Sequence, residues 1–176
     1  MGKDVCFMFR RTISVESIQR AMKNMVPRLD TAERIHLVLN SPGGSLSAAL
    51  PFAEFLKTIG HVSTYNVGIV NSAAIPIFAV GDERICSAGA SFKLHDVMGC
   101  ATGYHTLSEF EKIVETLRND QMRMVELLET QTGSPASVWL GFMQEGKVMD
   151  AGMAMRLGLA TQTGECSMVA REGVAI

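Results

Sequence analysis

Two short apolar runs with an amphipathic helix between them constrain this chain most strongly. Val5–Phe9 is apolar and β-prone, and Ile35–Leu39 repeats that character apart from His36. Between them Ser14 is a good N-cap, and Ile18, Ala21, Met22 and Met25 follow at helical spacing until Pro27 ends the helix. Strand, helix and strand within the first forty residues make a βαβ unit, which commits the chain to a parallel sheet with helices packed on it. Later segments continue the pattern. A helix carries Ala48, Ala49, Phe52, Phe55, Leu56 and Ile59, with Pro51 near its first turn or kinking it, and Gly60 stops it. Val62–Val67 is the third strand and Gly68–Ser72 a turn. Ala73–Val80 is a short buried helix, and Arg84–Cys86 and Ser91–Leu94 are short strands. The expected class is α/β.

Thr106 and Glu109 form a capping box at the head of a helix running to about Thr130. Leu107, Phe110, Ile113, Val114, Leu117, Val125 and Leu128 make its apolar stripe, with charged residues on the other face. At roughly 35 Å it exceeds what a compact βα unit needs, and it is expected to project and pack on another subunit. Ser134-Pro135 opens a short helix through Trp139, and Lys147–Met149 is a strand fragment. Asp150 caps a last helix ending at Gly158, and the polar tail from about residue 163 is expected to be loose. Residues 1–176 fit one domain without repeats or linkers.

Composition narrows the partners. The chain is 47% hydrophobic with a formal net charge of −2 and no Lys/Arg block, which argues against nucleic acid. The four cysteines Cys6, Cys86, Cys100 and Cys166 form no C-x-x-C pair, so a reducing compartment is the simpler expectation. No basic-then-apolar leader opens the chain, and the apolar run at Ala73–Val80 is far too short to span a bilayer. A cytoplasmic protein without a membrane or nucleic-acid partner is the expectation.

The candidate chemistry lies between Asn40 and His95. Ser72 sits in a strand-to-helix turn that would expose a nucleophile, although Asn71-Ser72 is also a generic helix start. His95 ends a strand and is the candidate base, whereas His36, His61 and His105 lack this context. Gly43 and Gly44 end the second strand in Asn40-Ser41-Pro42-Gly43-Gly44. The N–H groups of Gly44 and Ala73 could form an oxyanion hole, which needs two preorganised donors.

Taken together, N-S-P-G-G after a strand, G-x-x-x-S after the next βα unit and F-x-L-H resemble the ClpP-type serine peptidases of the ClpP/crotonase fold, with the likeness extending to the A-x-x-x-x-x-G-L-A close at Ala151–Ala160. The resemblance implies repeated ββα units, a long "handle" helix and a ring-forming homo-oligomer, with two stacked rings interlocked by the handles. It implies Ser72 as nucleophile, His95 as base, Gly44 and Ala73 as oxyanion donors, and extended substrate bound along Gly43, Met98 and Gly99. Its substrates are peptides or unfolded protein, an unfoldase ATPase is the implied partner, and no metal or organic cofactor is expected. The segment forming axial gating loops in that family is expected to be short or missing.

This chain departs from the family in one respect that bears on chemistry. Counting from Thr132-Gly133, the family's catalytic aspartate falls on Gly146, which has no acceptor. The adjacent Glu145 is the first candidate to replace it, ahead of no acid at all, and then Asp96 or Asp150. A catalytically inactive ring subunit and a crotonase-type acyl-CoA enzyme therefore stay open beside the peptidase.

Overall fold

A computed structural model describes residues 3–166 and 174–176. The elements run β1 (Lys3–Phe9), α1 (Val15–Met25), a 3-10 turn (Val26–Arg28), β2 (Ala32–Ser41), α2 (Leu46–Ile59), β3 (Val62–Asn71), α3 (Ala74–Ala79), β4 (Glu83–Cys86), β5 (Ser91–Lys93), α4 (Leu107–Thr132), α5 (Ala136–Glu145), β6 (Val148–Asp150), α6 (Ala151–Arg156), β7 (Gln162–Thr163) and β8 (Val174–Ala175). The strand order is β6-β5-β3-β2-β1-β8, with β4 and β7 branching from β3, and the sheet is parallel except for β6 against β5. The α/β class expected from the alternation is the class found.

Sequence dictates the start of this sheet locally. Ser14 caps α1 by accepting from the Ser17 N–H, and the Ser17 hydroxyl accepts from the Ser14 N–H in return, which closes the box. Phe7, Phe9, Leu37, Leu39 and Val70 bury one face of the sheet under the helices. On the other face Cys6, Val38, Tyr65 and Ile85 form a smaller cluster, against which Cys166 packs. There His36 Nδ1 lies 2.8 Å from the Tyr65 hydroxyl and Nε2 lies 3.3 Å from the Asp4 carboxylate, so this histidine is a structural group. Burial pushes the Cys6 thiol up to about 12.

β3 does more than the sequence suggests. Its first half, Ser63–Asn66, pairs with β4, and its last residues, Ile69–Asn71, pair with β5. Gly68–Asn71 is therefore strand, not turn. A Cβ at Gly68 would lie 2.9 Å from Asn40 Oδ1, so a larger residue there would shift that amide. That same amide oxygen accepts from the Ile69 N–H at 3.1 Å.

α4 has the capping box expected of it, with Thr106 N–H donating to Glu109 Oε2 at 2.7 Å and Glu109 N–H to Thr106 Oγ1 at 3.3 Å. The Thr106 N–H and the Thr106 hydroxyl, both donating to Glu109 Oε2, hold that carboxyl below its ordinary range. Its 26 residues span about 39 Å. The buried residues are Met124, Val125, Leu127 and Leu128, all in the second half, while Leu107, Phe110 and Val114 are exposed. The first half projects from the body of the protein, as its length predicts.

Two boundaries are corrected. α5 begins after Pro135 and continues to Glu145, six residues beyond Trp139, because Trp139 and Met143 are both buried one turn apart. The Ser134 hydroxyl bonds the Leu157 carbonyl instead of capping α5. The tail is anchored where it is described: β7 pairs with β4, β8 pairs with β1, and Ile176 is buried. The rest of the tail expected to be loose, residues 167–173, lies outside the described residues. Among the described residues no helix is long and apolar enough to cross a membrane.

Candidate active site

Ser72 is built into a strained turn. It follows β3 directly and has φ 51°, a left-handed conformation that a residue with a Cβ adopts at a cost of about 1–3 kcal/mol. Two bonds impose it: Ser72 N–H donates to the Lys93 carbonyl at 2.8 Å, and the Ser72 carbonyl accepts from Ile75 N–H at 2.9 Å. The first ties the turn to the end of β5, and the second starts α3. A sharp strand-to-helix turn of this kind stands the side chain clear of the sheet. Among the described residues Ser72 Oγ has no hydrogen-bond partner.

The Pro42-Gly43-Gly44 loop packs against this turn. A Cβ on Gly43 would lie 2.6 Å from the Asn71 carbonyl oxygen and 2.8 Å from Ser72 Cβ. A Cβ on Gly44 would meet the Ile13 carbonyl oxygen at 2.2 Å. Both positions therefore need glycine for contact as well as for their φ of 97° and 146°. Gly44 is bridged in parallel to Ile13, through Ile13 N–H to the Gly43 carbonyl at 2.8 Å and Ser45 N–H to the Ile13 carbonyl at 2.9 Å. In that arrangement the N–H of Gly44 itself points away from Ile13. The Gly43 N–H is taken by Ser41 Oγ at 3.2 Å. Those of Gly44 and Ala73 meet no acceptor among the described residues.

His95 follows β5, and its Nδ1 lies 2.7 Å from the backbone carbonyl of Asp96. A carbonyl only accepts, so Nδ1 carries a proton, and in the neutral ring the lone pair is on Nε2. The next N–H, on Val97, is fixed to Gln121 Oε1 of α4 at 3.1 Å, which ties the loop after His95 to the long helix.

Gly146 is the position at which the sequence count places the family's acid. β6 runs antiparallel to β5, and the ladder ends with Lys93 level with Val148, two residues short of His95 on one strand and of Gly146 on the other. Gly146 closes α5 in a left-handed conformation, and a Cβ built on it meets nothing within 4 Å. The candidate substitutes are engaged otherwise. Glu145 pairs with Lys147, Asp150 Oδ1 caps α6 by accepting from Met153 N–H at 2.7 Å, and Asp96 offers His95 its carbonyl oxygen. Among the described residues no ion pair or hydrogen bond joins Glu145 to His95.

Ser72, Ala73, Gly44, His95 and Met98 line one cleft of about 340 Å³. Gly43 backs the serine turn from behind, and Gly99 packs on Leu117 of α4. The far wall comes from α4 as Leu117, Asp120 and Met124. Asp120 was not legible as a site residue, since it looks like one more charge on a charged helix face. The available signal was its spacing, three residues after Leu117 and four before Met124, which puts it within an apolar stripe.

Comparison with known proteins agrees with this architecture. The model of the Clp protease family matches residues 3–166. Two similar relatives, both named ATP-dependent Clp protease proteolytic subunit, come from Bdellovibrio bacteriovorus and Dehalococcoides mccartyi. The first is 27% identical over 136 residues, covering 74% of this chain and 64% of the relative. The second is 28% identical over 135 residues, covering 75% of this chain and 66% of the relative. The chain therefore spans slightly under two thirds of the length of these relatives. With a parallel sheet, a glycine loop against a serine turn and a projecting helix all in the matched region, the chain belongs to the Clp protease family.

Proposed function

We propose that this protein is a serine-type endopeptidase that cleaves peptides or unfolded protein through an acyl-enzyme. The observation that carries the reading is one cleft that holds a strained serine, a histidine whose Nδ1 is already bonded, and two backbone N–H groups without acceptors. Ser72 Oγ attacks the substrate carbonyl carbon while His95 Nε2 takes its proton. The oxygen that becomes negative is held by the N–H groups of Gly44 and Ala73. Collapse breaks the C–N bond, and the departing amine takes the proton from Nε2. Water then attacks the acyl-serine with His95 again accepting and returning the proton, which releases a carboxylic acid and restores Ser72.

The Asp96 carbonyl selects the productive tautomer but brings no formal charge to stabilise the imidazolium. Loss of a triad carboxylate costs about 10⁴ in rate in the Ser-His-Asp case, so a slow dyad is the form of activity proposed. A fluorophosphonate should label wild-type protein and not Ser72→Ala. Equal labelling or equal peptide cleavage by the two would overturn the reading.

Gly146 supports a second reading, a catalytically inactive ring subunit. Wild-type protein that does not label, yet assembles with an active subunit, would favour it. Both readings share a ring-forming homo-oligomer. The exposed Leu107, Phe110 and Val114 on the projecting half of α4 supply an apolar surface for a second copy. A cytoplasmic setting and an unfoldase ATPase that feeds the ring belong to the same proposal, the latter suggested by the relatives' names.

A further inference from the structure

The cleft that holds Ser72 and His95 has one feature that the chemistry above does not use. Its α4 wall presents Leu117, Asp120 and Met124 on one stripe of the helix. The Asp120 side chain is only 19% exposed. Its charged neighbour is Arg123, 3.6 Å away and 57% exposed on the same helix, which is ion-pair distance without hydrogen-bond contact. Among the described residues no hydrogen bond reaches the Asp120 carboxylate. None of the residues lining the cleft is Lys or Arg.

A mostly buried carboxylate with unfilled acceptor capacity is stabilised by a cation, and most of all by a guanidinium or ammonium that hydrogen-bonds it. Leu117 and Met124 flank it with apolar surface, which suits the methylene stem that carries such a cation. We propose that Asp120 is the specificity-determining residue of this cleft, and that the residue whose carbonyl Ser72 attacks carries an Arg or Lys side chain. This rests on the peptidase reading, deepens it by naming the substrate class, and is tested apart from it.

Fluorogenic peptides that differ only at the cleaved residue are the probe. Wild-type protein should prefer Arg or Lys over Leu by about 10–100-fold in kcat/KM, the range expected of a charge-assisted hydrogen bond. Asp120→Asn should bring that ratio toward one, and Asp120→Glu should retain most of it. Taking the ratio within each protein removes any loss of folded material. A wild type that cleaves and prefers Leu, or an Asn variant with an unchanged ratio, overturns the proposal.

If the wild type is not labelled by a fluorophosphonate, the peptidase reading fails by itself, and binding decides the specificity. Fluorescence anisotropy on Ser72→Ala compares labelled peptides ending in arginine amide and leucine amide. Tighter binding of the arginine peptide that disappears on adding Asp120→Asn supports the assignment. Equal binding of the two peptides overturns it.

Discussion

Ser72 follows a strand and Gly146 a helix, and both have a left-handed backbone, with φ of 51° and 60°. At Ser72 the chain keeps a side chain where the backbone disfavours one, with Gly43 packed close behind. At Gly146 it has no side chain although open space surrounds the position. Backbone economy explains the second, since glycine is the usual residue for closing a helix in this conformation. It does not explain the first, where strain is retained. Strain that persists at a solvent-facing turn points to a requirement for the side chain itself. The turn at Ser72 is therefore specified against local cost, and Gly146 follows local preference.

The comparison is broken most directly by Ser72→Ala, which should lower peptide cleavage by about 10³-fold or more, measured with a fluorogenic peptide. Retained cleavage would mean that the strain at Ser72 has no catalytic purpose. Next in size is Gly146→Asp. The position is open, the sequence count places the family's acid there, and Asp is among the side chains that tolerate the left-handed region, so a gain of about 10²-fold in kcat is expected at a stability cost of about 1 kcal/mol. An unchanged kcat in a folded variant would show that the Asp96 carbonyl already supplies all the orientation His95 needs. Gly44→Ala should cost about 2 kcal/mol or more of stability, read by urea denaturation, because its methyl would meet the Ile13 carbonyl oxygen. Glu145→Gln should change activity by less than about 2-fold, since an exposed pair with Lys147 contributes little. A large loss there would instead make Glu145 the missing acid.

Much of this was legible in the sequence because it is local. The Ser14 cap, the Thr106–Glu109 box and the Pro-Gly-Gly turn each form within a few residues, and their side chains name the conformation. What escaped depends on distant partners. Gly68–Asn71 looks like a turn, and becomes strand only because Ile69–Asn71 finds Ser91–Lys93. The two-residue β7 has no strand signal and forms because Ile85 and Cys86 present a free edge to it. The helix expected to run through Trp139 continues to Glu145, because packing of Trp139 and Met143 carries α5 on through Gly141. The Asp96 carbonyl could not be read at all, since any residue offers the same backbone oxygen.

The account stands on the claim that Ser72 is a nucleophile with no carboxylate behind the histidine that serves it. Intact-mass spectrometry of the wild type, Ser72→Ala and Gly146→Asp after timed exposure to a fluorophosphonate tests that claim. The account predicts a single adduct on Ser72 that forms slowly in wild type, is absent from Ser72→Ala and forms faster in Gly146→Asp. No adduct in wild type or in Gly146→Asp, with both proteins folded, would contradict it.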